Sequence, residues 1–283
     1  MLILILSHFI RALRWRSMIV TIGGHPNIIN VFLAVIIGFF FNLVFPRLGE
    51  VMKCTVLSKY EKLPVDKMIG TMVAERLVDM LCLILVIAAT IFSQLDLVSA
   101  YTVELLLLLK GKLTNSTVFI SITLFLLASL LFAVFFIRRS GYSGKWIQAF
   151  RSAINGFYEG LISVRNMKNK HLFLIYTFSI WFLYLLSIKV GFYAISEISN
   201  LGWTPSLTIL TFGSFAMIAT QGGIGAYQLA VQKTLTIYGV KAVTGLAFGW
   251  LMWSVQTLML IVMGPISLLL LYSIAKKRTV IQE

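Results

Sequence analysis

Long apolar runs separated by short polar stretches set the pattern of this chain. They fall at Met1–Ile10, Ile28–Phe45, Met68–Phe92, Val118–Ile137, His171–Ile195, Ser206–Thr220, Ile224–Val240 and Val243–Ile274. Crossing about 30 Å of hydrocarbon takes roughly twenty helical residues, and the longer of these runs suffice with tilt. Met1–Ile10 does not. Its arginines, Arg11, Arg14 and Arg16, follow the apolar run, whereas those of a signal peptide precede it. The expectation is therefore the end of a spanning helix whose beginning is missing from this numbering. No repeat of solenoid length is visible. Between the apolar runs, Arg138–Lys170 is the longest stretch, too short for a catalytic domain of its own. Trp146, Phe150, Ile154, Phe157 and Leu161 recur there at helical spacing, which predicts a basic amphipathic connector.

Charge fixes how the runs are threaded. Of 24 Lys and Arg, three lie in Arg11–Arg16, five in Arg47–Lys67, seven in Arg138–Lys170 and three in Lys276–Arg278. The positive-inside rule puts all four clusters in the cytoplasm. Ile28–Phe45 then starts and ends on the cytoplasmic side, so with Gly49–Tyr60 it should enter the membrane and return. Ser206–Val240 should be a second such hairpin, entering from the opposite face. Each has a break at its tip: Pro46-Arg47-Leu48-Gly49-Glu50 in the first, Gln221-Gly222-Gly223-Ile224-Gly225 in the second. Broken helices meeting near the midplane are a common way to build a polar site in lipid. The predicted fold is all-α: a single polytopic membrane domain over residues 1–283 with two re-entrant hairpins.

Composition agrees. The 283 residues are 59% hydrophobic and 12% charged, too few polar groups to coat a water-soluble domain. A net charge of +14 reads as loops facing anionic lipid, not as a nucleic-acid surface. Cys54 and Cys82 form no CxxC pair, and the histidines His8, His25 and His171 make no metal spacing. No nucleophile elbow, Walker loop or dinucleotide fingerprint is present, so no cofactor is expected.

Five charged residues carry the candidate chemistry. Arg47 and Glu50 sit at the first tip. Arg47 either grips a phosphate through two parallel hydrogen bonds or merely pairs with Glu50. Glu75, Arg76 and Asp79 lie early in a spanning segment, with Glu75 and Asp79 on one face. They form an internal ion-pair network, line a path, or do both. At the second tip, Gln221, Gly222, Gly223 and Gly225 free backbone N–H groups that either cradle an anion or serve a tight bend. Tyr227 and Gln228 offer neutral polar groups on the helix that follows. Lys189, late in its span, either snorkels outward or points in.

Four of these stretches in register carry a resemblance. Arg11-Ala12-Leu13-Arg14-Trp15-Arg16, Pro46-Arg47-Leu48-Gly49-Glu50, Glu75-Arg76-Leu77-Val78-Asp79 and Gly222-Gly223-Ile224-Gly225 resemble the lysylphosphatidylglycerol synthase transmembrane region, or flippase-like domain, over nearly the whole chain. The resemblance implies a multi-pass protein of the bacterial inner membrane. In its fused members it implies translocation of an aminoacylated phospholipid between leaflets. Arg47, Glu50, Glu75, Arg76 and Asp79 take the positions of the family's charged motif residues. Three departures stand out. The family usually begins with one more helix. Its glycine motif often reads Pro-Gly-Gly with a Glu shortly after, where this chain has Gln221 and Gln228. The aminoacyl-transferase domain of the fused synthases is missing, so lysyl transfer by this polypeptide is not expected.

The functional expectation is a lipid translocase for membrane phospholipids, driven downhill or by a gradient. The alternatives are a membrane-embedded transferase with Glu75 or Asp79 as acid/base, and a membrane partner of a separately encoded lipid-modifying transferase.

Overall fold

The computed structural model describes residues 1–45, 48–94 and 169–280, with Asn155, Tyr158, Ile162 and Met167. The chain divides into a large unit, Met1–Thr90 with Gly156–Glu283, and a smaller one, Ile91–Asn155. The large unit holds the helices that bear on function. The predicted segment Val118–Ile137 and most of the Arg138–Lys170 connector, with Trp146, Phe150, Ile154, Phe157 and Leu161, lie outside the described residues.

Among the described residues the structure is helical, without strands. In lipid this is forced, because each backbone polar group must find its partner within the segment. The helices are α1 (Leu2–Thr21), α2 (Ile28–Val44), α3 (Leu48–Glu61), α4 (Val65–Ser93), α5 (Lys170–Gly191), α6 (Trp203–Ala219), α7 (Ala226–Ile237) and α8 (Ala242–Val280). Three are long and apolar enough to cross a membrane: Val65–Ser93, Lys170–Ala194 and Ala242–Ile274. Each matches a predicted run to within a few residues. The protein is an integral membrane protein.

The first run behaves differently from its reading. α1 continues through Arg11, Arg14 and Arg16 to Thr21, ending where the N–H groups of Gly23 and Gly24 fold back on the carbonyls of Val20 and Ile19. Arg11 and Arg14 therefore sit in mid-helix and are buried, not in a cytoplasmic loop.

Two pairs of short helices lie where the sequence analysis expects hairpins. α2 and α3 have 17 and 14 residues, about 25 and 21 Å of helix, each short of a full crossing. Asn27 caps α2 by accepting from the Ile29 N–H at 2.9 Å. Contacts pair Asn42 with Gly49, Gly38 with Lys53 and Asn30 with Glu61, so the two helices run antiparallel. Their closest approach is glycine on glycine. A Cβ on Gly49 would collide with the Gly38 carbonyl and lie 2.7 Å from the Asn42 side chain. The Gly49 N–H donates to Asn42 Oδ1 at 2.9 Å, so a side chain satisfies a donor at the start of α3. α6 and α7, with 17 and 12 residues, form the second pair around a single turn of 3-10 helix, Gln221–Gly223.

α8 backs both pairs. Its first half joins the apolar cluster of Ile188, Phe192, Ile209, Leu235 and Phe248. Farther along, Met259 and Leu260 pack on Leu4, and Leu271 on Leu33 and Ile37. Gly264 lies directly under the Phe40 ring.

The glycine contact makes a clear prediction. Gly49→Ala should lower unfolding stability in detergent by about 1–3 kcal/mol, the usual cost of overpacking. Gly202→Ala, where an added Cβ meets nothing within 4 Å, should leave the melting midpoint unchanged.

Candidate functional site

The site is a cluster of ion pairs drawn from α1, α3 and α4. Glu75, on α4, has a fully buried side chain. A carboxylate at such a position persists only when cations surround it. Arg14 Nη2 approaches its Oε1 at 2.9 Å and Lys53 Nζ its Oε2 at 2.7 Å. Arg11 and Arg76 stand farther from Oε1, at 3.6 and 3.7 Å. Asp79 lies one turn on, so the two carboxylates share a helix face. Arg14 Nη1 donates to Asp79 Oδ1 at 2.7 Å, and Arg11 Nη1 to Oδ2 at 3.3 Å. Arg11 Nη2 also donates to Tyr184 Oη at 2.8 Å, which brings in α5. Glu50, in the first turn of α3, is 3.4 Å from Lys53 Nζ and 3.6 Å from Arg76 Nη1.

Aromatic rings close the cluster. Lys53 Nζ is 4.7 Å from the centroid of Trp15, whose Nε1–H donates to Thr71 Oγ1 at 3.0 Å. The Arg11 guanidinium is 5.3 Å from the centre of Phe39, on which His8 also packs. Cation–ring contacts replace part of the water that these charges lose. Exposure rises across the cluster, from 0% at Glu75 and Arg14 to 14% at Asp79, 21% at Glu50 and 36% at Arg76. The inner members hold the helices together. The outer members, Glu50 and Arg76, are partly exposed.

The structure thus brings together four of the five charged residues singled out in the sequence: Glu50, Glu75, Arg76 and Asp79. Arg47, with Pro46, lies outside the described residues. The second tip reaches the first hairpin. Gln221 Nε2 donates to the Val44 carbonyl at 3.0 Å, and a Cβ on Gly222 would meet Leu43 at 3.9 Å. Gly222 has φ +61°, Gly223 +73° and Gly225 +77°, the left-handed region that L side chains rarely adopt. The tip is fastened from behind, where Trp253 Nε1 donates to the Gly222 carbonyl at 2.7 Å. Tyr227 instead packs into the apolar cluster around Phe192, against Gly213. Gln228 is buried where α7 backs onto Gly249 of α8, and neither of its amide atoms has a hydrogen-bond partner. Lys189 donates to the Leu201 carbonyl at 2.5 Å, so it ties the end of α5 to the following loop.

Arg11, Arg14, Lys53 and Tyr184 belong to the cluster although the sequence pattern does not single them out. It counts the first three among the cytoplasmic charges. Two signals point to them all the same: Arg11 and Arg14 share a face at three-residue spacing, and so do Glu50 and Lys53. Glu75 and Asp79 each stand in ion-pair range of two cations or more.

Removing the central carboxylate strands several buried cations at once. Glu75→Gln should cost about 3–5 kcal/mol of stability, the scale for breaking a buried pair from one side. Adding Lys53→Met should recover part of that loss, because one cation then leaves with the carboxylate. Arg76→Gln should cost less than Glu75→Gln, because Arg76 is the most exposed member of the cluster. Unfolding midpoints of the four proteins in one detergent test this order.

Known proteins resemble this chain in sequence. A UPF0104 membrane protein of Methanocaldococcus jannaschii is 36% identical over 78 residues, which cover 26% of this chain and 23% of that protein. The chain thus spans about a quarter of that relative's length. No solved structure matches. The Lysylphosphatidylglycerol synthase TM region family matches residues 1–264, nearly the whole chain. The chain belongs to the lysylphosphatidylglycerol synthase transmembrane region family.

Proposed function

We propose that this protein is a lipid translocase of the bacterial inner membrane. It moves a phospholipid or lipid-linked headgroup between leaflets through a polar cavity at the meeting of two re-entrant hairpins. One observation carries the reading: the two helix pairs are bonded through Gln221 and Val44, and Glu50 of the first tip stands beside Arg76 of α4 at the more exposed end of the charged cluster. The lengths of α2, α3, α6 and α7 support it, since none suits a full crossing. Broken helices with polar ends at depth fit a site that a headgroup visits while its acyl chains stay in lipid.

In this reading Arg47, in the link between α2 and α3, takes the headgroup phosphate. Glu50 and Asp79 balance the nearby arginines, and Glu50 meets any headgroup amine. The Gly222–Gly225 backbone lines the opposite wall. Glu75, Arg14 and Lys53 do not touch the lipid; they hold α1, α3 and α4 in register.

Leaflet exchange of fluorescent phospholipids in liposomes, across a panel of headgroups, tests the proposal. Exchange should be selective for headgroup and abolished by Arg47→Ala, with expression unchanged. Normal exchange by that variant would remove Arg47 from its role. If no well-folded form exchanged any lipid of the panel, the function would instead be that of a transferase or of a membrane partner to one.

A further inference from the structure

Charge is spread unevenly over the helices. The ion-pair cluster lies on α1, α3 and α4. From Leu201 to Gln232, and again from Ala242 to Ala275, no residue carries a charge at neutral pH. α6, the second tip, the start of α7 and most of α8 therefore offer an ionic ligand no counter-ion, and an unbalanced charge in an apolar surrounding is costly. Their polar groups are amides, hydroxyls and backbone.

One of those amides lacks its bonds. Gln228, in the first turn of α7, is 1% exposed, and neither its Nε2 nor its Oε1 has a hydrogen-bond partner. Burying a carboxamide with both ends unpaired is costly, and an apolar residue of similar size would avoid the cost. Its backbone lies against α8, where a Cβ on Gly249 would stand 2.9 Å from the Gln228 Cα. Helical side chains lean toward the N-terminus of their own helix, which for α7 is the glycine tip. One turn past Gly249, Trp253 donates to the Gly222 carbonyl of that tip. Gln228 and the tip are thus seated on adjacent turns of α8. Gln256, half-buried and three residues beyond Trp253, extends the neutral polar face.

The missing partner must accept from Nε2 and donate to Oε1. An ammonium only donates, an ionised phosphate or carboxylate only accepts, and a hydroxyl does both. We propose that Gln228 is the specificity-determining residue of a neutral site at the second tip, which binds an uncharged, hydroxylated group such as a sugar or another polyol. The chemistry is shared by a polyol carried on a lipid and a free one. The lipid as its source rests on the translocase reading; the binding does not.

Binding is measured with the purified full chain in an amine-oxide detergent, since a sugar-headed detergent would compete. Three probes are used: dioctanoyl glucosylglycerol, methyl glucoside, and 1,2-dioctanoyl-3-aminopropanediol, whose head is an ammonium without hydroxyls. Wild type should bind the glucosyl lipid and not the ammonium lipid. Gln228→Leu should weaken that binding roughly tenfold or more. Without any probe the same variant should melt no lower than wild type, because it removes an unpaired polar group. Methyl glucoside binding with the same dependence supports the site and assigns it to free polyol as well; its failure beside a bound glucosyl lipid assigns the site to lipid. Wild-type affinity in Gln228→Leu overturns the proposal, and a lowered melting midpoint alongside it marks the amide as merely structural. Equal binding of the ammonium lipid by wild type, or binding of no probe, also overturns it, and these comparisons decide the matter if the variant fails to fold. The two readings fail separately. A chain that binds the glucosyl lipid through Gln228 but exchanges no lipid keeps this site and loses the translocase. One that exchanges lipid and binds no polyol does the reverse.

Discussion

A carboxylate cut off from water must hold its cations close, and Glu75 does so from several directions. Its two oxygens contact Arg14 of α1 and Lys53 of α3 at hydrogen-bond distance. Attraction at low dielectric is strong, and the desolvation cost of each ion is also large. The pair survives because the geometry is close and the same cations reach further acceptors. Arg14 reaches Asp79, and Arg11 spans Asp79 and Tyr184. Because Lys53 sits on α3, the position of the first hairpin follows from a residue on α4. The apolar cluster of Trp15, Val31, Leu57 and Met68 fills in around this frame, but apolar contacts alone leave helices free to slide. The ion pairs fix their register.

Much of this was legible in the sequence. Run lengths predicted the three long spans, and the distribution of Lys and Arg pointed to the short helices that pair as α2 with α3 and α6 with α7. The five-residue span from Glu75 to Asp79 announced buried charge, because lipid does not tolerate three ionisable groups so close together. The partners were harder to see. Arg14 is 61 residues from Glu75, and Arg11 is 68 from Asp79. A charge count treats every arginine near the end of an apolar run as a loop residue. What distinguishes Arg11 and Arg14 is that α1 does not end at Ile10 but continues through them. The glycine break at the second tip was readable as a bend, yet only the folded chain shows Trp253 holding it from α8. Tyr227 and Gln228 follow that break in sequence, but the turn of α7 carries Tyr227 into the apolar packing and Gln228 against α8.

Helix ends raise the same difficulty at both tips. The ends of a helix leave N–H and C=O groups without partners inside it. The first hairpin answers with Asn42, which accepts from the Gly49 N–H. The second answers through its neighbours: Gln221 donates to a carbonyl at the end of α2, and Trp253 to a carbonyl of the tip itself. The Gln221 bond that joins the two helix pairs thus also satisfies a carbonyl at the end of α2.

α8 gives this arrangement a mechanical character. One helix carries the second pair on its first half, through Phe248, and the first pair farther along, through Leu260 and Leu271. It is a beam with two loads. Next to the Gly264 seat stands Pro265, which has no N–H to return to the preceding turn. The beam is therefore weakest beside the place where it bears the first hairpin. That joint lies between the two bearing surfaces, with Phe248 on one side and Leu271 on the other.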